Sequence, residues 1–200
     1  MNVHPHKPSE GYLELIIGPM FSGKTSKLLE VYKQCMFCNI PVLVINFSGD
    51  NRYSDTMLST HDKQMIPCIK GTSIKEINES YGTEIELAEV ILINEGQFFP
   101  DIGIVKNMVE IDKKRIYICG LDGDFERKKI GGLLELIPYC NEVYKLKSLC
   151  SKCKDGTSAI FTFRVSNETD QVVIGSNNYI PVCRSCHNEL TAQKKTSPKE

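Results

Sequence analysis

Apolar residues gather along this chain in short runs, and polar or helically spaced stretches separate them, which is the pattern of strands alternating with helices. Leu13, Leu15, Ile16 and Ile17 predict a first strand, and residues 25–36 carry Leu28, Leu29, Tyr32 and Met36 near helical spacing. Residues 41–47, PVLVINF, form a continuous run that is apolar apart from Asn46, as expected of a parallel strand covered on both faces. Residues 48–63 turn polar and predict a long loop. A short strand over 65–69 follows, then a short helix over 73–81 with Ser73 as its N-cap and Gly82 beyond its end. Val90, Ile91, Leu92 and Ile93 form the next strand, residues 102–111 a helix and residues 115–119 another strand. Strands and helices in alternation imply right-handed βαβ units and a mostly parallel sheet. Sites in such sheets collect at the carboxyl ends of strands, so residues 18–25, 50–52, 94–98 and 121–125 are expected along one rim.

After Pro138 the pattern changes. Residues 142–149 read as a last core strand, followed by two β-rich runs at 159–165 and 171–174 between paired cysteines. The expected organisation is a loose arm over 1–11, an α/β core over 12–149, a small appended domain over 150–192 and a disordered tail over 193–200. No internal repeat is present.

Composition narrows the partners. The 200 residues are 41% hydrophobic and 24% charged, enough apolar material for a real core. Lys plus Arg number 24 against 25 Asp plus Glu, a net charge of -1, so no general basic field recruits nucleic acid or a membrane. The N-terminus lacks an apolar run and reads as neither a signal peptide nor a membrane span. Six of the nine cysteines fall into three C-x-x-C pairs, which points to metal or free thiols in a cytoplasmic protein rather than a disulfide framework.

Gly18, Pro19, Met20, Phe21, Ser22, Gly23, Lys24 and Thr25 satisfy G-x-x-x-x-G-K-[ST] between the first strand and helix. That is a P-loop, whose backbone N–H groups wrap a polyphosphate while the lysine reaches it and the Thr25 hydroxyl ligates Mg2+; the plain alternative is an accidental Gly-rich turn. Cys150 and Cys153, then Cys183 and Cys186 after 29 intervening residues, have the spacing of a structural zinc ribbon, against buried free thiols as the alternative. Cys35 and Cys38 read as helix thiols, with zinc ligands or a redox couple as the alternative, and His187 as a surface residue, with a substitute zinc ligand as the alternative. Glu95, just past a buried strand on the P-loop's rim, can accept a proton from a hydroxyl attacking phosphate; otherwise it is a solvated loop residue. Arg52 could reach phosphate from its loop. Phe98, Phe99, Leu121, Phe125 and Tyr179 either line a slot for a flat heterocycle or pack as core.

GPMFSGKT, DNRYS from Asp50, THD from Thr60, NEGQFFPDI from Asn94, LDGDFERK from Leu121 and the paired knuckles occur in the order seen in type II thymidine kinases. The resemblance spans about residues 13–186. It implies a P-loop, RecA-like α/β core with a zinc-ribbon and lasso domain, homotetrameric or dimeric, moving the γ-phosphate of ATP to the 5′-hydroxyl of thymidine or deoxyuridine in nucleotide salvage for DNA synthesis. By position Glu95 is then the general base and residues 18–25 the phosphate cradle, with Asp50, Asn51, Arg52, Asn94 and Gln97 also at the ATP site. Met20, Phe98, Leu121, Phe125, Thr162 and Tyr179 surround the nucleoside, and the lasso backbone of Gln171, Val172, Val173, Ile174 and Gly175 meets its base. The chain departs from the family in Asn94, where Asp is usual, in Asp124, in Ile130, where Phe is frequent, and in a lasso one residue shorter. Asn94 marks the alternative, a nucleotide-binding relative with impaired catalysis. A third reading, an ATPase gripping single-stranded nucleic acid, has the near-neutral charge against it.

Overall fold

The computed structural model describes residues 10–48, 57–59, 65–173 and 175–196. Its centre is a six-stranded parallel sheet. β1 (Tyr12–Gly18) leads through the P-loop into α1 (Lys24–Phe37), and β2 (Val42–Phe47) follows. A small antiparallel pair, β3 (Met57–Ser59) with β4 (Met65–Pro67), precedes β5 (Ile69–Gly71), α2 (Ile74–Ser80) and α3 (Gly82–Leu87). Then come β6 (Val90–Asn94), α4 (Val105–Glu110), β7 (Arg115–Leu121) and β8 (Glu142–Lys145). The order across the sheet is β5-β2-β6-β7-β1-β8, every neighbouring pair parallel.

Side-chain alternation divides the core in two. Leu13, Leu15, Ile91, Ile93, Ile116 and Ile118 face one layer with α2 and α4, while Ile16, Val90, Leu92, Tyr117 and Cys119 face α1. Strands buried on both faces are the reason the sequence shows solid apolar runs there. The α1 face is rotated from the expected one: Val31 and Cys35 are buried, whereas Met36 is 55% exposed. The predicted 65–69 strand is split between β4 and β5, which lie in different sheets, and the 102–111 helix begins as a 3-10 turn, Ile102–Ile104. Ser73 does cap α2, its hydroxyl accepting the Glu76 N–H at 3.2 Å.

The C-terminal unit is built from β9 (Ser148–Leu149) paired with β10 (Ser158–Ala159), and β11 (Phe161–Arg164) paired with β12 (Tyr179–Val182). It ends in α5 (Arg184–Thr196), so residues 193–196, expected in a disordered tail, are helical. Residues 171–173 are not a strand; the partner of β11 is β12. The core of this unit holds Cys150, Ala159, Phe163, Val182 and Cys183.

Glu14 and Arg115 are charged side chains buried in the α/β core, Arg115 on β7 pairing with Glu89 at 3.1 Å. Glu14 on β1 is 2% exposed, and the Tyr12 hydroxyl donates to its Oε2 at 2.8 Å. Burial pushes its carboxyl up from 4.5 to about 6; the Tyr12 hydrogen bond opposes this and the Glu142 charge on neighbouring β8 adds to it. The folded state therefore holds this proton more tightly than the unfolded chain, and its contribution to stability is lost as pH rises from 4.5 to about 6. Urea denaturation across that window should show a smaller decline for Glu14→Gln than for the native chain; equal slopes would contradict the assignment.

Candidate active site

The P-loop is shaped by three unusual backbone positions. Gly18 has φ 153°, Phe21 φ 62° and Gly23, the N-cap of α1, φ 81°. A Cβ on Gly18 would stand 2.6 Å from the Leu146 carbonyl oxygen, so the first glycine is needed for space as well as torsion. Lys24 is buried beneath the loop, its Nζ donating to the Pro19 carbonyl at 2.7 Å. The Ser22 Oγ is buried and has no hydrogen-bond partner among the described residues, an orphan group of the kind a bound oxyanion satisfies. Asp50, Asn51, Arg52 and Ile174, all expected at the site, lie outside the described residues.

Asn94, Glu95 and Gln97 meet the P-loop from the end of β6. The Thr25 hydroxyl donates to Asn94 Oδ1 at 3.3 Å and the Cys119 thiol to the same oxygen at 2.9 Å, while Asn94 Nδ2 donates to Asn46 Oδ1 at 2.8 Å. Asn46 thereby orients the amide, leaving its oxygen towards Thr25. The position supplies an acceptor for the Thr25 proton without a charge. Glu95 follows at φ 56°, a left-handed conformation costly for a residue with a Cβ and a feature of functional sites. Gln97, expected against ATP, is 2% exposed, and both ends of its amide are engaged inside the protein. Phe99 is core, edge-on to Phe47 at 5.3 Å, whereas Phe98 is half-buried beside the same ring.

The C-terminal unit reaches the P-loop directly. Thr162 on β11 is 4% exposed and its Oγ1 accepts the Met20 N–H at 3.0 Å, so this expected nucleoside contact also pins the phosphate loop. Asp124 does not stand free as a carboxylate in a slot. Its Oδ1 accepts from the N–H groups of Glu126 and Lys128 and its Oδ2 from Gln171 Nε2 at 2.9 Å, tying the 121–128 loop to the expected lasso. His187 is buried, correcting its reading as a surface residue. Its Nε2 lies 3.0 Å from the Phe125 carbonyl oxygen, between the rings of Phe161 and Phe163.

Arg164, not singled out from the sequence, organises several of the residues expected at the site. At 1% exposed it donates to the carbonyls of Glu168, Asp170 and Gln171 and to the Tyr179 hydroxyl, and its guanidinium lies 3.9 Å from the Phe125 ring centroid. The Tyr179 hydroxyl in turn holds both the N–H and the carbonyl of Val173 at 3.1 Å. Gln171, Val173, Tyr179 and Phe125, four of the expected nucleoside contacts, are thus organised around one cation; Val172 is 45% exposed. An arginine inside the apolar stretch AIFTFRV was the available signal.

The thiols of Cys150, Cys153, Cys183 and Cys186 lie within 4.8 Å of one another and could hold a metal ion. Cys153 Sγ is 3.8 Å from Cys183 Sγ and 3.6 Å from Cys186 Sγ. A tetrahedral tetrathiolate site requires sulfur separations of about 3.8 Å. Burial raises the Cys150 thiol, but the N–H groups of Cys153, Cys183 and Lys152 outweigh it and bring it down to about 6, towards the thiolate a metal takes. Cys35 is buried and Cys38 exposed at the end of α1, apart from this cluster.

Comparison with known sequences agrees with this geometry. The thymidine kinase family model matches residues 11–187. Thymidine kinase of vaccinia virus (strain Western Reserve) is 39% identical over 178 residues, 88% of this chain and 97% of that protein. Thymidine kinase of Yaba monkey tumor virus is 39% identical over 181 residues, 90% of this chain and 96% of that protein. Cytosolic thymidine kinase of Gallus gallus is 33% identical over 196 residues, 96% of this chain and 84% of that protein.

Proposed function

The chain belongs to the thymidine kinase family, and we propose from that premise that Glu95 is its general base and residues 18–25 its phosphate cradle. The reaction is transfer of the γ-phosphate of ATP to the 5′-hydroxyl of thymidine, giving the monophosphate and ADP. The observation that carries the assignment of roles is the meeting of three loops at the carboxyl ends of β1, β6 and β7, with Thr25, Asn94 and Glu95 side by side.

In this reading the Glu95 carboxylate takes the proton of the 5′-hydroxyl as its oxygen attacks the γ-phosphorus, and the bond to the β-phosphate oxygen breaks to release ADP. Lys24 and the N–H groups of the cradle stabilise the charge on the transferred group. Met20, Phe98, Leu121 and Phe125 bound the nucleoside, and the backbone of 171–175 meets its base. Thr25 fits a Mg2+ ligand because its proton is given to Asn94, leaving the oxygen lone pairs free; bound Mg2+ would neutralise phosphate charge there. The four cysteines fit structural zinc, a closed shell of thiolates that holds shape. A homotetramer or dimer and a cytoplasmic location complete the proposal, the latter supported by the cytosolic chicken relative; no helix among the described residues is long and apolar enough to cross a membrane.

ADP release from ATP and magnesium, with and without thymidine, tests the reading. The native chain should turn over only with thymidine, and Asn94→Asp should change the rate by no more than roughly tenfold, because the acceptor for Thr25 is already present. A silent native chain beside an active Asp variant would show that a carboxylate is required and overturn the role given to the amide.

A further inference from the structure

We propose that Gln97 is the positioning residue that aims Glu95 and sets its distance from the nucleoside wall. The inference rests on Glu95 as general base. Gln97 sits in the 3-10 turn Gly96–Phe98, its side chain running beneath the site. Its Nε2 donates to Glu95 Oε2 at 2.7 Å, and its Oε1 accepts the Leu121 N–H at 3.1 Å. A backbone N–H can only donate, so Leu121 holds the oxygen end of the amide and the NH2 end must face the carboxylate. The amide cannot flip without breaking both bonds.

The surroundings are cut to this side chain. A Cβ on Gly120 would come 2.4 Å from Gln97 Oε1, and one on Gly131 would come 2.2 Å from the Gln97 carbonyl oxygen. Glycines on two separate segments therefore leave the room that Gln97 occupies. Glu95 stands in a left-handed backbone conformation at the end of β6, and Leu121 ends β7. One buried amide thus joins the residue that takes the proton to a residue that bounds the nucleoside, across two neighbouring strands. A charge-assisted bond of this length holds a carboxylate in one rotamer, and placement of a reacting group within a fraction of an ångström governs rate. Gln97 is buried with both ends of its amide taken by Glu95 and Leu121, so its effect on the reaction runs through Glu95.

Steady-state kinetics of the zinc-loaded full chain test this with Gln97→Met, Gln97→Asn, Glu95→Gln and the double variant Glu95→Gln/Gln97→Met. Methionine keeps the length and loses both hydrogen bonds; asparagine keeps the amide and is one methylene too short to span them. Each should lower kcat roughly 10- to 100-fold while the ATP KM moves less than about threefold. In the Glu95→Gln background, Gln97→Met should cost nothing further, because the group it positions no longer acts. A folded, zinc-replete variant with native kcat would overturn the proposal, and so would a loss from Gln97→Met that is repeated in full without Glu95, which marks a structural role. Full turnover in Glu95→Gln would remove the general base itself, a result separate from the behaviour of the Gln97 variants in the native background.

Discussion

Glu95→Gln should lower thymidine-dependent turnover roughly 10²- to 10⁴-fold, the range for loss of a positioned general base. The substitution keeps the volume of the side chain and leaves an oxygen able to accept the Gln97 Nε2 hydrogen bond, so the surrounding turn has no reason to rearrange. What it removes is a group that can bind the departing proton. Because that group acts in the transition state, the deficit belongs in kcat and in kcat/KM together, with binding of ATP unchanged. Single-turnover measurements would show whether phosphoryl transfer is the step that slows. A variant within tenfold of the native rate would mean that solvent accepts the proton and that Glu95 has another task.

Removal of zinc should be the larger structural effect. Structural zinc contributes apparent binding free energies of about 10–16 kcal/mol in small tetrathiolate and related sites, and that energy is folding energy where no preformed core exists. Here the core cluster of the C-terminal unit holds five buried residues, two of them cysteines of the proposed metal site, too few for independent stability. Chelation should therefore unfold it first. The damage should spread along the contacts that join it to the site: Arg164 and Tyr179 to the backbone of 168–173, Gln171 to Asp124, and Thr162 to the Met20 N–H. Thymidine KM should rise by an order of magnitude or more before the six-stranded sheet melts, since one lost buried contact to a charged group already accounts for about 1.5–3 kcal/mol. Titration calorimetry with thymidine on metal-free protein, alongside a thermal melt, reads both effects. Native thymidine affinity without metal would break the link between the cysteine cluster and the nucleoside site.

The larger part of the fold was legible because its signals are local. Residues 42–45 and 90–93 are apolar on both faces because helices cover both sides of a parallel sheet, and no loop or surface helix requires that. The P-loop was legible because torsion leaves few residue types at Gly18 and Gly23, and close approach to Leu146 restricts Gly18 further. Short elements were read less well. The 65–69 stretch has too few residues to show a period, and its division between two sheets depends on which neighbours it meets.

By itself, then, the sequence determined the strand–helix alternation, the phosphate loop and Glu95 at a strand end, written along a few consecutive residues, and two C-x-x-C pairs able to form a four-cysteine cluster. Tertiary structure alone decided that His187 is buried, that Asp124 is bonded by Gln171, and that Arg164 gathers the backbone of residues 168–171 and the Tyr179 hydroxyl. The Thr162 hydroxyl reaches Met20 across 142 positions, and Gln97 reaches Leu121 across 24. Such contacts follow from how separate elements pack, and neither periodicity nor spacing within one element encodes the partner that a buried polar group must find.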